Sequence, residues 1–585
     1  MPPRSVGAAE RVALLAPPRV PIHPPGSVVA WEMLVRPVAP PYDPLVWAAQ
    51  PFSIRSRMVC QAWAIQGYGT PLLIYAAYVL KVLGYIAGWA YFCCLDPSLG
   101  GLARIGSWWP SHGAFQKAIL WSLLFELLGL GCGSGPLTGR YWPPLGGALY
   151  FLRPGTTKLA LFPNAPVIGG LRRGRLDVSL YAATCVVLLA ALSQPMPSRG
   201  LLTGLAVLVP LLGVLDKTLF LAARGEHFWT TLVMFVIASD FIPGAKGVQA
   251  ALWFWAGVSK LNHHFPAVVG VMTSNSPLLR SAGVRRLMYR AYPEDLSPSR
   301  LASLAGHAGT ALELGVPVLL IAGNGGTLTL VGLVAMLLLH AFITSNVPMG
   351  VPLEWNVMMV YGGFFLFYAH ADVSLLSMNG ATGLVLLALC VAVPLLGNLR
   401  PDRVPFLLAM RYYAGNWAYS VWLFRKGSER KLRGLVGSSA WIYDQLERLY
   451  DRATAVGVVG KVMAFRLMHL HGRLLPRLVP KAVERFEDYE WIDGEVVAGM
   501  VLGWNFGDGH LHREQLLHAV QAQCGFEPGE LRCIMVEAQP LGQDTLHYRI
   551  LDASTGLLEQ GQGRVSELRN ALPWGAPNAA ALGSA

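Results

Sequence analysis

Charge is scarce in this 585-residue chain: Asp, Glu, Lys and Arg together supply 14% of it, against 54% hydrophobic residues. Soluble domains carry nearer a quarter charged residues, so the composition excludes an ordinary soluble enzyme as the whole of the chain. Acidic residues are scarcer than basic ones, 34 against 46. The resulting charge of +12 could suit nucleic acid, but the basic residues gather in loops and in the tail. There they meet anionic lipid headgroups, and nucleic acid is not expected as a partner. The eight cysteines form no CxxC pair and show no zinc spacing, which excludes a disulfide framework and leaves no expected metal site. No GK[ST] follows the glycine-rich stretch 129–135, and GxSxG and HExxH are absent. Phosphate-loop, hydrolase and zincin chemistry therefore have no support. No internal repeat is visible, and residues 1–68 lack an early apolar core of the signal-peptide kind.

What is abundant is apolar sequence in blocks of about 17–25 residues, the length a helix needs to cross the hydrocarbon layer. Ten spans are expected, near 70–92, 114–133, 177–195, 200–222, 227–243, 246–263, 301–323, 326–345, 351–370 and 379–398. The stretch 404–422 carries Arg411 and Asn416 and is expected as a helix lying at the interface, and 459–483 as a basic amphipathic helix. Beyond 487 the composition suits a small module with a helix at 515–523 and strands at 531–539, 545–551 and 556–564. The expected fold class is an all-α polytopic membrane helix bundle of about 10 spans with a small α/β soluble C-terminal domain. Its parts are an N-terminal cytoplasmic or interfacial segment (1–68), the bundle (69–400), interfacial and amphipathic helices (401–486), the C-terminal domain (487–573) and a disordered tail (574–585).

Lys and Arg in the loops after even-numbered spans outnumber those after odd-numbered ones by 14 to 3, which places both termini in the cytoplasm. Ionisable residues inside spans are costly and mark function by default. Read on this topology, Lys260, Asn262, His227, His307, His340, Glu354 and Asn356 come from successive spans and lie within about two turns, or 11 Å, of one membrane face. Glu313 lies deeper and needs a partner. Lys81 and Glu126, mid-span in the first two spans, are expected to pair with each other. A lysine in a low-dielectric pocket is a ready base. Lys260, with His227, His307 and His340 assisting, forms the candidate catalytic set; Glu313, Glu354, Asn356 and Asn262 form the candidate substrate-binding set. For any one of these residues taken alone, snorkelling to headgroups is the commoner explanation.

Four ordered stretches, LDKTLFLAARGEHFWTTLVMF (215–235), FWAGVSKLNHHF (254–265), HAGTALELGVPVLLI (307–321) and LLHAFITSNVPMG (338–350), resemble the membrane domain of vitamin K-dependent gamma-glutamyl carboxylase and its bacterial relatives, the horizontally transferred transmembrane domain proteins. That resemblance covers roughly a third of the chain. It implies Lys260 as the base that deprotonates a reduced quinone and His227 and His340 as site histidines. No counterpart of the carboxylase's large propeptide-binding region is present, so glutamate carboxylation is not expected. The stretches QGYGTPLLIYAAYVLKVLGY, FQKAILWSLLFELLGLGCGSGPLTGRYWPP, YFLRPGTTKL and AMRYYAGNWAYSVWLFR are similar to a bacterial transmembrane family of unknown function. This resemblance covers most of the spans and implies the bacterial cytoplasmic membrane. Two readings stay open. One is a membrane-embedded enzyme acting on a quinone-like or lipid substrate. The other is a non-catalytic lipid binder, transporter or scaffold subunit. The bilayer and a lipid-soluble molecule are the expected partners, and the sequence specifies no cofactor.

Overall fold

The computed structural model describes residues 32, 34–131, 140–142, 147–346, 352–504, 509 and 513–575; the first 31 residues of the N-terminal segment and nearly all of the expected disordered tail lie outside them. The helices that carry the argument are α1 (Phe52–Gln66), α2 (Leu72–Cys94), α3 (His112–Leu127), α4 (Arg175–Ser193), α5 (Arg199–Leu215), α6 (Thr230–Ile237), α7 (Ile242–Ser259), α8 (Phe265–Asn275), α9 (Arg300–Ala322), α10 (Thr327–Thr344), α11 (Leu353–Phe364), α12 (Gly380–Leu399), α13 (Arg452–Met468), α14 (His471–Ala482), α15 (Gly494–Leu502) and α16 (Gln515–Cys524).

Five of these, α2, α4, α9, α10 and α12, are long and apolar enough to cross a membrane, with mean hydropathy from 1.5 to 2.2 over their best windows. The bent pair α13–α14, folded by 95°, would make six if counted as one span. The expectation of about ten spans is thus corrected to five or six among the described residues. The other apolar segments fail for separate reasons. α3 has 16 residues and α5 has 17. Residues 217–237 break into three pieces, one of them a π-helical turn at Gly225–Trp229. α11 stops after 12 residues. α7 reaches 18 residues but is buried almost all round, with Lys246 and Gln249 on its surface. Hydropathy alone does not separate a helix solvated by lipid from one solvated by protein. α2 is the former: only 6% of its apolar window is buried, and Leu73, Val79, Leu80 and Leu83 stand exposed.

Two apolar helices contain a proline whose effect their neighbours repair. Proline lacks an N–H and so frees the carbonyl four residues earlier. In α5, Pro210 frees Ala206, whose carbonyl accepts from Trp229 Nε1 at 2.9 Å. In α12, Pro394 frees Cys390, whose carbonyl accepts from Trp255 Nε1 at 2.8 Å within a π-helical turn. Inside hydrocarbon such re-satisfaction is what makes a broken helix tolerable. Trp255→Phe keeps the packing and removes the donor; a loss of about 1–2 kcal/mol in detergent unfolding is expected, with Trp255→Ala costing more.

The C-terminal module is an antiparallel sheet in the order β4-β3-β5-β6-β7. Its strands are β3 (Tyr419–Arg425), β4 (Tyr489–Asp493), β5 (Leu531–Val536), β6 (Thr545–Asp552) and β7 (Gly556–Arg564); β1 (Tyr289–Ala291) and β2 (Asp295–Pro298) form a separate hairpin before α9. The helix expected at 515–523 and the three strands expected after 531 are present. The interfacial helix expected over 404–422 is absent: residues 400–418 run as successive turns and 419–425 form the strand between β4 and β5. YSVWLFR alternates poorly because both faces are covered, with six of its seven residues buried. The basic amphipathic helix expected over 459–483 is also corrected. Residues 455–468 are all buried, with Arg466 held in a two-pronged pair with Asp493 at 2.8 and 3.0 Å, and the chain bends by 95° before the basic α14.

Lys81 does not pair with Glu126. It stands 3.3 Å from Glu354 of α11 and donates to the Gly131 carbonyl at 2.7 Å. Five of the fourteen cations counted for orientation, Arg140, Lys158, Arg173, Arg224 and Arg285, are buried. Lys158 and Arg173 serve buried pairs with Asp177 and Asp216. Their positions answer to those carboxylates and not to headgroups.

Candidate functional site

Lys260 follows the last turn of α7, where a cation is favoured by the helix dipole. Its ammonium pairs with Glu313 of α9 and lies 5.1 Å from the Phe265 ring centroid. The two are 8% and 4% exposed, so a bare charge on either would be severely penalised and each requires the other. Pro317, four residues after Glu313, removes one backbone hydrogen bond from α9 and frees the Glu313 carbonyl at the pair.

His340 of α10 lies on the same cavity. Trp253 Nε1 donates to its Nε2 at 3.1 Å, so Nε2 bears no proton. Nδ1 then carries the hydrogen and donates to Asn356 Oδ1 at 2.7 Å, while Asn356 Nδ2 donates to the Pro352 carbonyl at 2.8 Å. The chain Trp253–His340–Asn356–Pro352 has one consistent direction and holds a neutral imidazole by both nitrogens. His340 can orient neighbours, and a proton could reach Nε2 only with loss of the Trp253 bond.

Lys260, Glu313, His340 and Asn356 all line one cavity of about 210 Å3. Its remaining wall is largely apolar and includes Trp253, Val269, Met272 and Leu339. The other four candidate residues lie elsewhere. His227 is buried beside Phe228, its Nδ1 without a partner among the described residues. His307 is on the exposed face of α9. Glu354 is buried on Lys81. Asn262 shapes the turn after Lys260, its Oδ1 accepting from the His264 N–H at 2.8 Å.

Sequence reasoning missed a second polar group on the same cavity. Arg224 Nε donates to Glu226 Oε1 at 2.9 Å, and the Tyr412 hydroxyl donates to that same oxygen at 3.0 Å. The guanidinium lies over Trp355 and Tyr412, 5.3 and 5.5 Å from their centroids. Arg224 has φ 53°, a conformation rare outside glycine and asparagine. The signal was the tripeptide RGE set between two apolar runs, two opposite charges close together where neither belongs.

Tyr412 reaches the cavity on the turns that replace the expected interfacial helix. Residues 406–417 cover one side of it through Phe406, Leu407, Tyr412, Tyr413 and Trp417. This cover is tied to the sheet domain just past β5. Asn416 Nδ2 donates to the Gln539 carbonyl at 2.9 Å, and the Gln539 N–H donates to Asn416 Oδ1 at 2.7 Å. Gln539 also bonds His264 through its Oε1 at 2.9 Å. The sheet domain therefore holds both the cover and the loop that follows Lys260.

His264, in that loop and outside the spans, is fully buried. Burial lowers its pKa from 6.5 to about 4, against the opposing hydrogen bond from Gln539. The unfolded chain takes up this proton near pH 6.5 and the folded chain only near 4. Between those values the unfolded state binds more protons, so stability falls as the pH drops from about 6.5 towards 4. Urea titrations across that window are expected to show this slope, and His264→Gln to flatten part of it.

The fold and its cavity define a multi-pass helical membrane protein that carries a small antiparallel sheet domain. Residues 33–581 match the model of the family described as transmembrane protein of unknown function (DUF3556), and the chain belongs to that family. No curated protein and no solved structure matches it.

Proposed function

We propose that the cavity beside Lys260 binds a lipid-soluble molecule with a polar head, quinone-like or lipid-like, and that Lys260 and Glu313 exchange a proton with that head. The observation that carries this reading is the buried Lys260–Glu313 pair set in the wall of an otherwise largely apolar cavity. A pair serving only to join α7 and α9 would gain by excluding any cavity, because buried ion pairs offset their desolvation poorly and apolar replacements often stabilise. An apolar cavity with a few convergent polar groups is the usual form of a small-molecule site. Three kinds of polar group converge here: the proton-exchanging pair, the oriented neutral His340–Asn356 unit, and the Tyr412–Glu226–Arg224 group. The four stretches resembling the carboxylase membrane domain agree with a lysine-centred quinone-like site, and they alone carry that part of the reading.

The test is mass spectrometry of small molecules retained after gentle purification. A defined lipid-soluble species is expected in the wild type and absent from Asn356→Ala and from Lys260→Met combined with Glu313→Leu, the variant that removes both charges together. Identical bulk lipid in all three would defeat the proposal. If a species is found, Lys260→Arg separates the enzyme from the carrier. A guanidinium does not act as a base near neutral pH, so an enzyme loses turnover while a carrier keeps binding.

A further inference from the structure

A second feature lies on the far side of α1 and α2 and does not depend on the function proposed for the Lys260 cavity. A recess of about 620 Å3 is walled by Arg36, Arg280, Arg285 and Lys461, with Glu32 the carboxylate on its rim. Arg36 is matched by Asp451 at 3.5 Å. The other three cations meet only carbonyl oxygens. Arg285 donates to Leu279, Ile65 and Ser276, at 2.7, 2.8 and 3.0 Å. Arg280 donates to Pro277 at 2.9 Å, and Lys461 to Val38. Carbonyls satisfy N–H groups but leave the net charge in place. Lys461 is 4% exposed and Arg285 is 7% exposed, so both are buried with no carboxylate beside them among the described residues, and burial favours the neutral form of Lys461 until an anion is present. At Gly69, which has φ +65°, an added Cβ would meet Val38 Cβ at 2.7 Å and Lys461 Nζ at 3.0 Å. Burying cations this way is costly unless an anion completes the site.

The recess sits at the end of a lipid-facing helix. Leu72 and Tyr75, in the first turn of α2, line it, and the ends of a spanning helix lie at headgroup depth. It also borders a second space. A groove of about 590 Å3 shares Pro37, Thr70 and Val458 with the recess and then follows α2. Its lining along that helix, Ile74, Ala77, Tyr78, Lys81 and Gly84, steps by three and four residues and so forms one stripe. Trp121 and Phe125 of α3 form its opposite wall. An uncompensated cationic end at headgroup depth, joined to an apolar trough running down the span, has the form of a lipid.

We propose that this recess and groove bind one anionic phospholipid, its phosphate between Arg280, Arg285 and Lys461 and an acyl chain along the Ala77–Gly84 stripe of α2. The test uses the full chain purified in neutral detergent, with thermal unfolding and native mass spectrometry as readouts. The probes are phosphatidylglycerol, phosphatidylcholine and inorganic phosphate. Phosphatidylglycerol is expected to raise the melting temperature and stay bound at one copy, with phosphatidylcholine and phosphate much weaker. Arg280→Gln, at an exposed position, is expected to weaken phosphatidylglycerol binding roughly fivefold and to leave phosphatidylcholine unchanged. Gly84→Trp, placed where an added Cβ meets nothing within 4 Å, fills the groove and is expected to displace the lipid without unfolding the chain. Equal stabilisation by both phospholipids, or indifference to Arg280→Gln, overturns the proposal. Inorganic phosphate acting as strongly as phosphatidylglycerol and unaffected by Gly84→Trp means a free-anion site and overturns it too. Because Arg280 and Gly84 do not line the Lys260 cavity, failure here leaves the function proposed for that cavity standing.

Discussion

Lys260→Met and Glu313→Gln are each expected to destabilise the protein by about 3–5 kcal/mol, because each leaves the other's charge buried without its partner. Lys260→Met combined with Glu313→Leu removes both charges and is expected to recover most of that loss, since apolar side chains of similar volume suit this largely apolar wall. Unfolding of the four proteins in urea and detergent measures this directly. The double variant is the informative one. It keeps the fold, so a retained ligand lost from it is lost for want of the proton-exchanging pair. A double variant as unstable as the singles would mean that the two residues do not act on each other.

Asn416→Ala is expected to cost about 2–4 kcal/mol and to loosen the cavity cover. The substitution removes two hydrogen bonds at once, leaving the Gln539 N–H to find a new partner in a buried setting and its carbonyl with the Arg411 bond alone. Arg411, whose guanidinium donates to the Asn416 carbonyl at 3.0 Å and to the Gln539 carbonyl at 3.4 Å, stays in place and keeps the backbone nearby. Loosening is therefore expected to be local: faster amide exchange over 406–417, unchanged exchange in β6 and β7, and faster release of whatever occupies the cavity. Exchange that rises throughout the sheet would mean that the contact holds the domain's fold and not its docking.

The central pair was legible because Lys260 and Glu313 are expensive residues in apolar surroundings, and expense shows in a sequence without coordinates. His340 and Asn356 were legible for the same reason. His307 misled because helical position fixes depth but not azimuth; one face of α9 packs inward and His307 is on the other. Glu354 and Lys81 were each visible, but their pairing joins residues 273 positions apart, and no local rule assigns such a partner. The span count failed where protein replaces lipid as the surroundings of an apolar helix, as around α7. Arg411 and Asn416 were taken for the polar side of an interfacial helix. In fact they knot a turn-rich segment to a strand end over a hundred residues later.

Pro210, Pro317 and Pro394 lie inside α5, α9 and α12, and of these helices α9 alone lines the cavity. The carbonyls freed by Pro210 and Pro394 are each held by an indole from another segment. At Pro317 no side chain among the described residues donates to the freed Glu313 carbonyl. Of the three freed carbonyls, this one lacks such a donor, and its residue carries the carboxylate of the site. Glu313 thus stands one turn before a proline, where α9 lacks a backbone hydrogen bond, while Lys260 precedes the loop that Gln539 anchors, so the carboxylate is the less firmly held partner of the pair.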